Sequence, residues 1–403
     1  MRILMLTSVY KDESLGNKDA STNIVNSFVK EWKKQGHEVL VIHNSHCYPR
    51  VIHEIPEKIK KSLAARMGFA ISDFNAVKEK EYQNNGVKVF RFPIKKFIPH
   101  SQPSDSVIKR QVNKIIITLK KEKFEPDVIT GHWASPQMEI ISELKTIYHC
   151  KTAVVLHGTG YIDSPKFNAE KYLKNIDSLG ARSLSQAKQI KKILQLEKLP
   201  FVCSSGVPDE YLKNYRLNTE KYRDIKAWKI TYVGRLVSYK NIDATIKALS
   251  EIKDIKWEFN IVGEGASRTE LEELAQKLNC ADKIHFWGRV SRDKVMQILE
   301  DTHVFVMIST NEIFGLVYLE AMAASCLTIA SKNGGVDGII VNNENGFLCH
   351  EGDEKSLKEV LENIINFDYK TLTGIVEMGY MTAEEYSDYK VAEKYLLNIS
   401  GDE

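Results

Sequence analysis

Thirteen residues of this chain hold its densest chemistry: Asn311-Glu312-Ile313-Phe314-Gly315-Leu316-Val317-Tyr318-Leu319-Glu320-Ala321-Met322-Ala323. Glu312 falls in the loop after an apolar run that reads as a strand. Gly315 opens an apolar helix, and Glu320 lies about a turn and a half inside it. A carboxylate among Leu319, Ala321, Met322 and Ala323 is costly to bury alone. Two partners answer that cost: the hydroxyl pair of a ribose, or a nearby Arg or Lys in a structural ion pair. The helix amino terminus at Gly315–Leu316 offers free N–H groups and the positive end of the peptide dipoles to phosphate.

Two cations stand upstream. Tyr232-Val233-Gly234-Arg235-Leu236 ends a strand at a glycine and is followed by Lys240. Arginine presents a planar fork to phosphate and lysine a point charge. The alternative is two solvated surface cations beside a turn. Gly263-Glu264-Gly265 follows the next strand as a dinucleotide fingerprint would, but the third glycine position is Arg268, so a nicotinamide site fails the pattern. No Asp stands two positions from another Asp anywhere in the chain, so no Asp-x-Asp metal site is expected. No metal or other cofactor is expected. The first half offers Gly131-His132-Trp133 and His157-Gly158, each after a short β-type run. Trp133 is either a platform for a sugar ring or a packed aromatic.

The elements that must position these residues follow from periodicity. Strands are predicted at 2–7, 37–42, 87–92, 127–130 and 152–156, with helical patterns at 24–36, 57–67 and 107–123. From 229 onward the alternation is regular: strands at 229–234, 257–262, 283–287, 303–308 and 327–331, helices at 241–252, 267–278, 292–300 and 315–325, and a tail helix at 382–399. Strand–helix alternation implies parallel sheets, and 403 residues suggest two domains. The boundary is expected near 205/206, in Ser-Ser-Gly-Val-Pro and the charged stretch after it, with the tail helix returning to the first domain. Open α/β sheets bind ligands at the carboxyl ends of their strands, so the two domains are expected to face each other across a cleft.

Composition narrows the setting. Six cysteines at 47, 150, 203, 280, 326 and 349 lack CxxC spacing, which argues for reduced thiols and a cytoplasmic location. The first apolar run, Ile3–Leu6, is too short for a signal peptide, and no apolar run approaches the length of a spanning helix. The net charge of +3 conceals a basic first half and an acidic second half. Basic amphipathic patterns at 57–67 and 107–123 make an anionic membrane surface an expected partner, through 57–67 more than 107–123. Nucleic acid is not an expected partner.

Gly234-Arg235 with Lys240, Gly263-Glu264-Gly265, and Glu312 with Glu320 resemble the retaining family-4 glycosyltransferases of the GT-B fold, known as glycosyl transferases group 1. Gly334-Gly335, Asn345-Gly346-Phe347 and Gly36-His37-Glu38-Val39 fit the same pattern. The resemblance implies two Rossmann-like doubly wound domains, the first binding acceptor and the second binding donor. It implies a catalytic group of His157, Arg235, Lys240 and Glu312, with His157 beside the donor sugar. Donor contacts would come from Gly234, Gly263, Gly265, Val290, Phe314, Gly315, Leu316 and Glu320, with Glu320 on the ribose. Acceptor contacts would come from Gly16, Ser21, Thr22, His132 and Trp133. The first loop departs from the family, reading Asp19-Ala20-Ser21-Thr22 where paired glycines are usual. Val336-Asp337 follows Gly334-Gly335 where a Glu is frequent. The expected activity is transfer of a sugar, with retention and without metal, from a nucleotide sugar (a UDP-hexose) to a glycan or lipid-linked acceptor in surface polysaccharide assembly. The alternatives are a non-catalytic nucleotide- or glycan-binding protein on the same fold, and a transferase using a small soluble acceptor.

Overall fold

The computed structural model describes residues 1–12, 24–56, 59–60, 77–96, 102–165, 167–253 and 255–401. The chain divides into two compact units. The first comprises residues 1–182, 186–203 and 391–403, and the second comprises 183–185 and 204–390.

The first unit is built on eight strands: β1 (Arg2–Thr7), β2 (Glu38–His43), β3 (Lys80–Asn84), β4 (Val87–Arg91), β5 (Val128–His132), β6 (Lys151–Leu156), β7 (Ser178–Ala181) and β8 (Phe201–Val202). Their order is β8-β7-β6-β5-β1-β2-β4-β3. The pairings are parallel except for the edge hairpin β3–β4. From β1 the chain moves first to β2 on one side and later to β5 on the other. The carboxyl ends of β1 and β5 therefore flank a topological switch point. Ile3, Leu4, Met5 and Leu6 are fully buried, as a central parallel strand covered on both faces requires. Helix α1 (Ile24–Lys34) buries Val25, Phe28, Val29 and Trp32 at helical spacing. Helices α2 (Asp105–Lys121) and α3 (Gln137–Lys145) bury Val112, Ile115 and Leu119, and Met138, Ile140, Ile141 and Leu144.

The second unit is a six-stranded parallel sheet of β9 (Trp228–Val233), β10 (Trp257–Val262), β11 (Ile284–Gly288), β12 (Val304–Met307), β13 (Leu327–Ser331) and β14 (Phe347–Cys349), in the order β11-β10-β9-β12-β13-β14. Its switch point lies between β9 and β12. The intervening helices are α4 (Ile242–Glu251), α5 (Arg268–Lys277), α6 (Arg292–Glu300) and α7 (Leu316–Ala323), followed by α8 (Glu354–Asn366) and α9 (Tyr369–Glu385). The bounds of β9 to β13 and of α4 to α7 fall within one or two residues of the expected ones, whereas β14 and α8 were not expected.

The predicted tail helix is two helices. α9 stops at Glu385 and α10 (Asp388–Ser400) begins after Tyr386–Ser387. The break has a tertiary cause: Val207 donates its N–H to the Tyr386 carbonyl and accepts from the Asp388 N–H, both at 2.8 Å. No helical register satisfies both bonds. The part of α10 assigned to the first unit docks there: Trp32 Nε1–H donates to the Ala392 carbonyl at 2.9 Å, and the Tyr395 and Thr130 hydroxyls bond at 2.7 Å. The helical pattern at 57–67 lies outside the described residues except for exposed Ile59 and buried Lys60. All six cysteines are free. No described helix is long and apolar enough to cross a membrane.

Glycines set the loops at the carboxyl ends of β9 and β10. Gly263 has φ +141°, and a Cβ there would lie 1.8 Å from the Gly234 carbonyl oxygen; one at Gly265 would lie 2.1 Å from that of Leu236. Gly234 N–H donates to Val262 O at 2.9 Å, and Leu236 N–H to Glu264 O at 3.0 Å. Backbone thus packs on backbone, with no room for side chains between. Gly263→Ala is expected to destabilise the second unit by about 3 kcal/mol or more, since strain and overlap combine. Urea unfolding measures this, and a loss below about 1 kcal/mol would mean the loops relax apart.

Candidate functional site

In each unit the described sequence-predicted residues lie in or after the loops at the carboxyl ends of its strands. In the second unit, Gly234 and Arg235 leave β9, a single 3-10 turn carries Ser238–Lys240, and Asn241 (φ +52°) starts α4. The Asn241 side chain donates to the Ile308 carbonyl at 2.8 Å and the Thr310 hydroxyl at 3.0 Å, and Thr310 N–H donates to the Tyr239 carbonyl at 2.8 Å. These bonds tie the loop after β9 to the loop after β12. Lys240 and Glu312 consequently form an ion pair, with side chains only 12% and 14% exposed. Lys240 Nζ also lies 3.8 Å from Met307 Sδ. Arg235 is exposed and donates to the Tyr239 hydroxyl at 2.7 Å.

Gly315, at φ +77°, caps α7 with no side-chain acceptor on the helix terminus. The buried Phe314 carbonyl comes so near Gly335 that a Cβ there would lie 2.5 Å from it. Glu320 is buried on α7, and its carboxylate meets a cation the sequence did not single out. Arg292 Nε lies 3.1 Å from Oε1, and its terminal nitrogen NH2 contacts the same oxygen. Of the two partners left open for Glu320, the ion pair is present. Val290 lies in the turn between β11 and α6, beside Gly288, whose φ of +69° suits only glycine well.

In the first unit, neighbouring strands β5 and β6 run in register, His132 opposite Val155, and bring two histidines together. His132 Nδ1 and His157 Nε2 are 2.8 Å apart. Trp133, with φ +71°, stacks on the His157 ring at 4.1 Å and 19°. His132 was expected to meet an acceptor; instead it is fully buried between Phe28 and Tyr395, with ring centroids 5.7 and 5.6 Å away. Its Nε2 is buried without a partner among the described residues. A buried N–H without an acceptor is rarer than a bare lone pair, so we assign Nε2 as the lone pair and let Nδ1–H donate to His157 Nε2. That leaves Nδ1–H as the remaining polar group of His157. Gly16, Ser21 and Thr22 lie outside the described residues. Among the described residues no group of three His, Cys, Asp or Glu side chains could hold a metal.

Burial holds both histidines well below the ordinary imidazole range; the buried Arg182 guanidinium adds to this for both, and His132 adds to it for His157.

Residues 218–377, inside the second unit, match the family described as Glycosyl transferases group 1. The match covers under half of the chain and marks the second unit as similar to the domains of that family. An uncharacterized glycosyltransferase of Methanocaldococcus jannaschii is 28% identical over 305 residues, 74% of this chain and 80% of that protein. The putative teichuronic acid biosynthesis glycosyltransferase TuaC of Bacillus subtilis is 24% identical over 385 residues, 92% and 90% of the two chains. The fold is GT-B: the Anabaena HepE structure in complex with UDP superposes with a TM-score of 0.68 over the full length of both chains at 17% identity.

Arg292 and the His132–His157 contact are the features that sequence reasoning missed. The first pairs across 28 positions, and only asking which cation answers Glu320 would have raised it. The second was open to inference from strand adjacency, because parallel neighbours carry their following loops side by side.

The histidines generate a stability prediction. Unfolded imidazoles titrate near about 6.5. Below that pH the unfolded chain takes up protons that folded His132 and His157 refuse, so the first unit loses stability as pH falls from 7.5 to 5.5. In His157→Asn the fall should be shallower by about one proton. Urea midpoints across that range test this, and an unchanged slope in the variant contradicts it.

Proposed function

We propose that this protein is a retaining glycosyltransferase that moves a hexose from a UDP-sugar to a glycan or lipid-linked acceptor in the assembly of a surface polysaccharide. The observation that carries the reading is the coincidence of the family match at 218–377 with Arg235, Lys240, Glu312 and the uncapped α7 terminus at the carboxyl ends of one sheet. The description of TuaC as a putative teichuronic acid biosynthesis glycosyltransferase and the UDP of the HepE complex support the choice of polysaccharide and of uridine nucleotide.

In this reading Arg235 and Lys240 take the charge that develops on the leaving diphosphate, the role a metal plays in other transferases. No metal takes part. Glu312 is paired with Lys240 in the unliganded chain. A diphosphate that takes over Lys240 frees the Glu312 carboxylate to accept from the sugar hydroxyls. The backbone at Phe314, Gly315 and Leu316 meets the distal phosphate. Gly234, Gly263, Gly265 and Val290 shape the nucleotide's bed, and Glu320 accepts from the ribose. His157 offers its Nδ1–H to the transferred sugar. The bond from the anomeric carbon to phosphate breaks, the acceptor oxygen attacks from the same face, and the departing phosphate oxygen receives the acceptor's proton.

The first unit is the proposed acceptor side, with Trp133 rather than His132 as its exposed-edge aromatic. An anionic membrane remains a proposed partner on altered grounds. The apolar stripe of α2 is spent on the core, while Lys109, Arg110, Lys120 and Lys121 stay exposed. Any attraction through this helix is therefore electrostatic rather than by insertion.

The test is a panel of UDP-, GDP- and ADP-hexoses with glycan acceptors, the product's anomeric configuration being read by NMR. Turnover with retention is expected; inversion, or no turnover with any donor, overturns the reading. Lys240→Ala should lower kcat at saturating donor by about a hundredfold or more. Near-wild-type kcat in a variant of unchanged melting temperature would remove Lys240 from the leaving-group site.

A further inference from the structure

We propose that Arg292 is a positioning residue for nucleotide recognition, holding the Glu320 carboxylate by one oxygen so that the other faces the ribose diol. The inference rests on the reading of Glu320 as the ribose acceptor.

The contact geometry motivates it. Arginine and carboxylate commonly meet fork to fork, which occupies both carboxylate oxygens. Here Nε and NH2 of Arg292 both approach Oε1, and Oε2 has no partner among the described residues. A single carboxylate oxygen can accept two hydrogen bonds, as a vicinal diol demands. The Glu320 side chain is 9% exposed, on a helix otherwise lined with Leu319, Ala321, Met322 and Ala323. Among such apolar neighbours a carboxylate is costly unless a cation answers it. Arg292 supplies the charge while leaving the recognition oxygen free.

The arginine is itself held. It is the first residue of α6, and the Ser291 hydroxyl caps that helix by accepting the Lys294 N–H at 3.3 Å. Its guanidinium lies 5.4 Å from the centre of the buried Tyr211 ring, a cation–π distance. Burial works against its charge, but the charge of and hydrogen bonding to Glu320 outweigh this, so the guanidinium holds its proton more tightly than usual. Ring and carboxylate hold the partly exposed guanidinium on two sides, an arrangement a flexible lysine ammonium does not reproduce.

The test is equilibrium binding to the full chain. The nucleotide is whichever of UDP, GDP and ADP binds most tightly, compared with its 2′-deoxy counterpart. Wild type should prefer the ribonucleotide by roughly tenfold to a hundredfold, the scale of a hydrogen bond to a charged group. Arg292→Met, which keeps an unbranched side chain against Tyr211, should bring that ratio close to one while changing affinity for the deoxynucleotide far less. Arg292→Lys, the variant with the smaller risk to folding, should give an intermediate ratio. A merely structural arginine would weaken both ligands equally and preserve the ratio, and that result in either folded variant overturns the proposal. Glu320→Gln separates the two levels. If it also leaves the ratio intact, the ribose reading of Glu320 is what fails; if it collapses the ratio while the Arg292 variants do not, only the role of Arg292 fails.

Discussion

At the carboxyl ends of the second unit's strands, two carboxylates are withdrawn from water, and each is matched by one cation: Glu312 by Lys240 and Glu320 by Arg292. Removing one member of a buried pair such as Lys240–Glu312 costs about 3–5 kcal/mol, because the other charge is left uncompensated; the cost is smaller for Arg292–Glu320, whose arginine is 42% exposed to screening water. The two pairs tie together the elements that follow β9, β11 and β12. They also set what a ligand must bring. A nucleotide diphosphate carries negative charge that can replace Glu312 at Lys240, and hydroxyls that can engage both carboxylates. In the proposed reading the diphosphate takes over Lys240 from Glu312 while Arg292 stays on Glu320, so no charge is stranded. The close packing of Gly234 and Leu236 against Gly263 and Gly265 serves this constraint by keeping the loop that bears Arg235 and Lys240 in one place.

The first unit applies the opposite device at its own switch point. His132 and His157 are kept neutral by burial and by the charge of Arg182. A neutral histidine that accepts through one nitrogen has a defined donor on the other, as assigned here to His157. Tyr395 of the returning helix walls His132 on one side, so the tail contributes to this arrangement through packing. The chain's far end and its first hundred and sixty residues are in this way tied to one aromatic cluster.

How much of this the sequence reveals depends on the range of the interaction concerned. The five expected strands and four helices of the second unit stand within one or two residues of their predicted places, because a buried parallel strand and an amphipathic helix write their periods into neighbouring residues. Glu312, Glu320, Arg235 and Lys240 were legible by type and spacing, and so was Gly315 as the start of α7. What was not legible is pairing through space. Nothing near Glu320 names Arg292, and nothing near Tyr386 announces the break that Val207 imposes. The polar strand β3, Lys-Glu-Tyr-Gln-Asn, has too little apolar alternation to be seen without its partner β4. His132 illustrates the limit from the other side: a histidine after a strand reads as a surface group, and only the packing of Phe28 and Tyr395 turns it inward.

The central claim is that protein charges at the β9 and β12 loops, rather than a metal, hold the diphosphate of the donor. Calorimetric titration of the chelator-treated protein with UDP and with UMP tests it most directly, since the two ligands differ only in the phosphate that Arg235 and Lys240 are proposed to meet. UDP should bind on the order of tenfold tighter or more, with the same advantage before and after chelation and a smaller one at high salt. Equal affinities for UDP and UMP, or an advantage for UDP that appears only when magnesium or manganese is added, would contradict it.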